Sequence, residues 1–143
     1  DKGSVKISFF GTIDFGRIGE PRLTEDEVLL VASPLDIFAT KLKVIIQRPS
    51  TKDYVDIIRL IKNDESLVEA LGAASVFFGT DFSPMLSLRA LSYYDDLLPP
   101  LSPSDSSFLK RQVSEALRSL SIKGLEKPAL ASANLSSKEV KNL

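Results

Sequence analysis

Hydrophobic positions follow two different periods along this chain. Residues 4–15 alternate apolar and polar side chains with an interruption at Gly11, which predicts one long or broken strand. The apolar run over residues 28–32 predicts a buried strand, and the turn-rich stretch between the two predicts a loop. Because two or three strands cannot close a core alone, we expect either that helices cover this small sheet or that strands outside this sequence continue it.

Helical periodicity takes over after residue 32. Ser33-Pro34 and Ser83-Pro84 each combine an N-cap hydroxyl with proline at the first helical position, and Asp64 is the predicted cap of the third helix. The predicted helices span residues 34–47, 51–62, 65–78, 84–97 and 106–120.

The two periods together predict an α+β fold with a sheet of two to three strands and about five helices. We expect a β segment over residues 1–32, which would continue a larger sheet, and a helical region over residues 33–121. A tail over residues 122–143, with glycine, proline and small polar residues, should be loosely attached.

Composition narrows the possible chemistry. The 143 residues, 43% of them hydrophobic, are enough for one domain with a sizeable core. The sequence has neither cysteine nor histidine, so catalysis would have to use carboxylates, lysine, arginine, tyrosine or hydroxyls. No apolar stretch is long enough to cross a bilayer and no signal pattern is visible, so we expect a cytoplasmic protein without a membrane partner. The chain opens with Asp1, and we expect a piece of a longer protein.

Charge is distributed unevenly although the formal net charge is only −1. Residues 41–62 hold six Lys or Arg against two Asp, whereas residues 63–103 hold one Arg against six acids. The first of these segments is therefore the candidate for handling an anion.

The densest group of charges lies across the first two predicted helices. Lys41 and Arg48 are two helical turns apart and would project along one line. Asp53 and Asp56 are neighbours on the next helix. Cations facing a carboxylate pair suit phosphoryl or nucleotidyl transfer, so we expect Lys41, Arg48 and Asp53 to converge at a cleft beside the strand of residues 4–15.

A purely structural interpretation explains the same charges. Lys52 and Asp56 have the spacing of an i,i+4 ion pair, and runs of charge usually form a solvated face. No glycine-rich phosphate loop occurs in the sequence. The acids Asp95 and Asp96 would oppose a helix dipole at the end of the fourth helix, so a cation should answer them.

Three segments resemble the C-terminal half of the AbiEii/AbiGii-type nucleotidyltransferase-like toxins of bacterial toxin–antitoxin and phage-defence systems. They are SVKISFFG, VLLVASPLDIFATKLKVIIQRPSTKDYVDIIRLI and PMLSLRALSYYDDLLPPL, and the resemblance covers about residues 4–120. It implies that Lys41 is the active-site lysine and Asp53 the following catalytic-region acid. It also implies that the rest of the motif binds substrate, through Arg48, Lys52 and Asp56. Asp36 would be the helix-opening acid.

The resemblance also implies a partial nucleotidyltransferase-like fold and transfer of nucleotides from a nucleoside triphosphate, with magnesium, to an acceptor such as tRNA. An antitoxin is the implied partner. The required G-S motif with metal-binding carboxylates is missing, since Gly3-Ser4 has no acid before Asp14. We therefore expect an inactive fragment with no magnesium of its own and a homo-oligomer formed through an exposed sheet edge. The alternative is a non-enzymatic helical protein-interaction module.

Overall fold

The computed structural model describes residues 16–125. This part of the chain is α+β, with a short two-stranded hairpin followed by five α-helices. A single 3₁₀ turn, Gly79–Asp81, follows the third helix. The elements are β1 Arg22–Leu23, β2 Leu30–Val31, α1 Pro34–Gln47, α2 Thr51–Lys62, α3 Leu67–Phe78, α4 Pro84–Ala90 and α5 Pro103–Leu125.

The hairpin is antiparallel and exposed. Arg22 pairs with Val31 and Leu23 with Leu30, and the Thr24 amide donates to the Leu29 carbonyl at 2.9 Å. Leu30 is 69% exposed, so the prediction of a buried strand over residues 28–32 is wrong. The helices bury their apolar faces against one another, which leaves both faces of this short ribbon bare. The predicted strand over residues 4–15 lies outside the described residues.

The first two helices have the predicted bounds. Ser33 Oγ accepts the Asp36 amide at 3.1 Å, and Pro34 opens α1. Helix α1 ends at Gln47 because the next residue takes an extended backbone (φ −148°) ahead of Pro49. Helix α2 begins after Ser50.

Helices α3 and α5 begin differently from the prediction. Ser66, not Asp64, caps α3 by accepting the Glu69 amide, while Asp64 has φ +68° in the turn between α2 and α3. Helix α5 begins at Pro103 because Ser102 Oγ accepts the Asp105 amide at 3.1 Å. It continues to Leu125, past the predicted end at residue 120 and into the segment assigned to the tail.

Helix α4 is shorter than predicted and ends at Ala90. The Tyr54 hydroxyl donates a hydrogen bond to the Ala90 carbonyl at 2.9 Å. This carbonyl is one of those that have no hydrogen-bond donor within the helix at its C-terminal end. Asp95 and Asp96 therefore lie beyond the helix, where both are exposed. Within residues 16–125 no ion pair answers them, and the dipole argument for such a pair does not apply.

Helix α1 lies at the centre of the hydrophobic core. Its buried residues, which include Phe38 and Leu42 at 0% exposed, pack against α3 and α4. Alanines on the facing side of α3 allow the two helices to approach closely, and burial of each large apolar side chain stabilises the fold by about 2 kcal/mol. This packing holds the adjacent Lys41 at the border between core and solvent. No helix within residues 16–125 has the length and apolar character needed to cross a membrane.

Candidate functional site

The polar centre of the described region is a lysine held by two aspartates. Lys41 lies on α1 beside the fully buried Leu42, and its side chain is 26% exposed. Its Nζ lies 2.7 Å from Asp53 Oδ1 and 2.8 Å from Asp56 Oδ2. Because both aspartates belong to α2, the lysine bridges the first two helices.

The two carboxylates differ in their environment. The Asp53 side chain is 10% exposed and lies in the first turn of α2, where the helix dipole favours a negative charge. Asp56, one turn further on, has a side chain that is 39% exposed, with Arg59 at 4.0 Å. The exposed pair of Asp56 and Arg59 contributes little to the stability of the fold. The Asp53 carboxylate is nearly buried, so it depends most on its ion pair with Lys41.

The cluster keeps Lys41 protonated. Burial alone lowers the pKa of the lysine, but hydrogen bonds and charges from Asp53 and Asp56 outweigh burial and raise that pKa above its ordinary value. The ammonium is therefore a fixed cation that orients two carboxylates. It is not a proton acceptor near neutral pH.

Two of the predicted site residues lie outside this cluster. Arg48 follows the last residue of α1 on extended backbone, so the two-turn spacing from Lys41 does not bring them onto one line. Its side chain is exposed, as is that of Lys52. The i,i+4 pair between Lys52 and Asp56 is absent from the described ion pairs, since Asp56 binds Lys41 instead.

Asp36, the helix-opening acid of the resemblance, has a role that the sequence did not reveal. Its Oδ1 accepts the backbone amides of Ile18 and Gly19, each at 3.1 Å, and the residue is 7% exposed. The loop before the hairpin is thereby tied to the first turn of α1. Gly19 packs so closely on Ser33 that a Cβ there would lie 2.0 Å from Ser33 Oγ. The S-x-x-D spacing of residues 33–36 predicts a capped helix start, but it gives no sign of a contact with amides 17 and 18 residues earlier.

A groove of 690 Å³ opens between this loop, the hairpin and α1. Asp36 and Lys41 both line it, together with Thr40, and most of the remaining lining is apolar. The full lining set is Gly16, Arg17, Pro21, Leu30, Ala32, Asp36, Ile37, Thr40 and Lys41. Lys41 therefore contacts the carboxylates on α2 and borders a groove large enough for a small ligand.

The described residues do not fit a magnesium site. Asp53 and Asp56 each direct an oxygen to the Lys41 ammonium, which already neutralises one of the two charges. Among residues 16–125 no group of three carboxylates is close enough to hold a metal ion. Magnesium prefers several oxygen ligands in octahedral geometry, and this pair cannot supply them.

The fold and site define a helical α+β protein whose central polar feature is a lysine–dicarboxylate cluster at the rim of a groove. A family model described as nucleotidyl transferase AbiEii toxin, type IV TA system, matches residues 1–131. The chain belongs to this family of nucleotidyltransferase-like toxins from toxin–antitoxin systems. No curated protein and no solved structure matches it.

Proposed function

We propose that this chain is the C-terminal part of an AbiEii-type toxin that, when complete, transfers nucleotides from a nucleoside triphosphate to an RNA acceptor such as tRNA. Lys41 and Asp53 belong to the active site in this proposal. Arg48, Lys52 and Asp56 contribute to substrate binding. A cognate antitoxin is the natural protein partner, and the compartment is the cytoplasm.

One observation carries the proposal: in a member of a nucleotidyltransferase family, Lys41 lines a groove and its ammonium binds both Asp53 and Asp56. A fixed ammonium beside a buried carboxylate can hold that carboxylate in the orientation needed to accept a proton from an attacking hydroxyl. The third hydrogen of the Lys41 ammonium remains for a substrate oxygen, because Asp53 and Asp56 take two of its three donors.

Magnesium, when bound to the complete toxin, would supply neutralisation of the triphosphate charge. Its ligands must come from carboxylates other than Asp53 and Asp56, which hold the ammonium.

Arg48 and Lys52 flank the turn between α1 and α2 and are exposed, so both can approach a substrate phosphate without leaving an existing ion pair among residues 16–125.

The isolated 143-residue chain should lack nucleotidyltransferase activity, since the G-S motif with metal-binding carboxylates is absent from its sequence. Incubation with radiolabelled nucleoside triphosphates, magnesium and total tRNA should give incorporation at background level. A characterised nucleotidyltransferase in the same reaction mixture provides the positive control. Labelling well above background that Asp53→Ala abolishes, and that the same change at the exposed Asp95 leaves intact, would contradict the inactivity and mean that another acid completes the site.

We further propose that the chain associates with itself through its β segment. Exposed apolar residues concentrate on the hairpin, where Val28, Leu29 and Leu30 are each more than 60% exposed. Bare strand edges and apolar patches of this kind commonly pair with another chain. Multi-angle light scattering at micromolar concentration should therefore give a mass above 15.7 kDa that rises with concentration.

A matched variant tests where the association occurs. Leu30→Lys places a charge on the exposed edge and should shift the mass toward that of the monomer. Met85→Lys makes the same kind of change on α4, where Met85 is 61% exposed, and should leave the mass unchanged. A mass equal to that of the monomer at every concentration would contradict the proposed self-association.

A further inference from the structure

A second groove lies between the end of α1 and one side of α4. Its volume of 420 Å³ is in the range of small-molecule binding sites. It shares no lining residue with the groove at Lys41, and every residue that lines it except Arg89 is apolar or aromatic. The proposed transfer reaction makes no use of this second groove, which is therefore a separate candidate binding site.

The floor of the second groove is part of the hydrophobic core. Ile45 and Tyr54 line it and are 2% and 1% exposed. The Tyr54 hydroxyl donates to the Ala90 carbonyl at 2.9 Å, and the Tyr54 ring lies edge to face with the Tyr94 ring, with 6.4 Å between the centroids. Because these contacts already orient the floor, little conformational entropy would be lost when a ligand settles on it.

One wall of the groove is an apolar stripe that the core leaves uncovered. Leu86, Ala90 and Tyr93 are spaced by four and three residues, and the Tyr93 amide donates to the Arg89 carbonyl at 3.1 Å, so all three follow one side of a continuous helical turn. Leu86 is 51% exposed and Tyr93 is 61% exposed, whereas Leu88 on the other side of α4 is 2% exposed. An apolar ligand would remove this stripe from water.

Arg89 supplies the only charge in the lining of this groove. Its side chain is exposed, and within residues 16–125 no acid lies within ion-pair distance of it. Asp95 and Asp96 are also exposed but do not belong to the lining. The C-terminal end of α1 carries only about half a negative charge, so the full charge of the guanidinium dominates and favours an anion.

We propose that the second groove binds a small organic carboxylate with an apolar body, such as an aryl acid or a short alkyl acid. The planar guanidinium of Arg89 can donate two parallel hydrogen bonds to one carboxylate. The apolar body would lie on Leu86 and Tyr93 and over the Tyr54 ring, where an aromatic ring can pack edge to face. A phosphate monoester fits less well, because its second charge would meet no further cation in the lining.

Nuclear magnetic resonance on the isotope-labelled 143-residue chain tests this site with hydrocinnamate, a phenyl ring joined to a carboxylate by two methylene groups. The amide signals of Arg89, Ala90 and Tyr93 should shift and saturate with a Kd of about 0.1–5 mM, the affinity that a ligand of this size reaches in an open groove.

Three analogues separate charge from apolar contact. Phenylpropanol has the same ring without the charge and should bind at least about fivefold more weakly, because a hydrogen bond to a charged group is the stronger kind. Phenylpropylamine carries the opposite charge, and acetate lacks the apolar body. Neither should give a saturable shift of the same amide signals.

Two variants locate the contacts. Arg89→Gln should weaken hydrocinnamate about fivefold or more and leave phenylpropanol unchanged. Leu86→Ala should weaken the acid and the alcohol alike, by about two- to threefold, since both lose the same apolar contact. Arg118→Gln is the matched control, because Arg118 is an exposed arginine of α5 outside the lining, and it should change neither affinity. The dispersion of the amide signals checks the fold of each variant.

The proposal is overturned if hydrocinnamate gives no saturable shift, if acid and amine bind equally, or if Arg89→Gln and Arg118→Gln have equal effects. Shifts confined to the Thr40 and Lys41 amides would assign the acid to the first groove and would also overturn it. So would self-association that Met85→Lys abolishes and hydrocinnamate does not compete with, because a second copy would then cover α4. The transfer proposal is tested with nucleoside triphosphates and is unaffected by any of these results.

Discussion

Replacing Lys41 by alanine is expected to lower the free energy of unfolding by about 2–4 kcal/mol, because it leaves Asp53 nearly buried without its cation. The Asp53 side chain is 10% exposed and its closest cation is Lys41 Nζ at 2.7 Å. This cost is smaller than that of a fully buried unpaired charge, because the Lys41 side chain is 26% exposed and the pair is partly screened by solvent. Urea denaturation at neutral pH measures the difference.

Lys52→Ala is the matched control for this change. Lys52 lies in the same charged stretch but is exposed, so its replacement should change the free energy of unfolding by less than about 0.5 kcal/mol. A double-mutant cycle between Lys41→Ala and Asp53→Asn should give a coupling energy of about 1–3 kcal/mol. If Lys41→Ala costs no more than Lys52→Ala, the cluster does not join α1 to α2 energetically.

The pH dependence of stability gives a second readout of the same cluster. The two aspartates raise the pKa of Lys41 in the folded state above its unfolded value. The stabilisation from that difference is fully present below the unfolded lysine pKa and is lost as pH rises through the folded pKa. In alkaline buffers the free energy of unfolding of the parent chain should therefore fall as the pH rises. The same fall should be smaller in Lys41→Ala. An equal pH dependence of the free energy of unfolding in the two proteins would contradict a stabilising contact between Lys41 and the two aspartates.

Gly19→Ala should destabilise the chain by about 2 kcal/mol, because the added methyl group has no space. A Cβ at Gly19 would lie 2.0 Å from Ser33 Oγ and 2.4 Å from Ser33 Cβ. The loop cannot simply move away, since the Ile18 and Gly19 amides are both bound by Asp36 Oδ1. Thermal unfolding followed by circular dichroism would show a lower midpoint.

Gly72→Ala provides a control with the opposite sign. Gly72 lies in α3, is exposed, and has no atom within 4 Å of an added Cβ. Alanine in a helix interior is favoured over glycine, so this variant should be more stable by about 0.5–1 kcal/mol. A stabilising Gly19→Ala would show that the contact between the loop and Ser33 does not constrain the groove wall.

The helical half of the fold was predictable from local patterns. Ser33-Pro34 defined the start of α1, and Pro49 defined its end through the restricted backbone before proline. The α+β class was confirmed, and so was the family resemblance. These features follow from interactions between residues close in sequence. A cap, a proline or a periodic apolar stripe acts within one or two helical turns, so its effect can be read without the rest of the chain.

The approach of Lys41 to Asp53 was expected from the sequence, but the tertiary structure decided the other contacts between elements. Spacing within α2 favoured Lys52 as the partner of Asp56, but the packing of α1 against α2 brings Lys41 closer. Asp36 binds amides that lie 17 and 18 residues away, and the apolar strand at residues 28–32 remains exposed because the helices pack against one another. Such contacts depend on how whole helices approach and rotate, which is set by the summed burial of many side chains rather than by the identity of any pair.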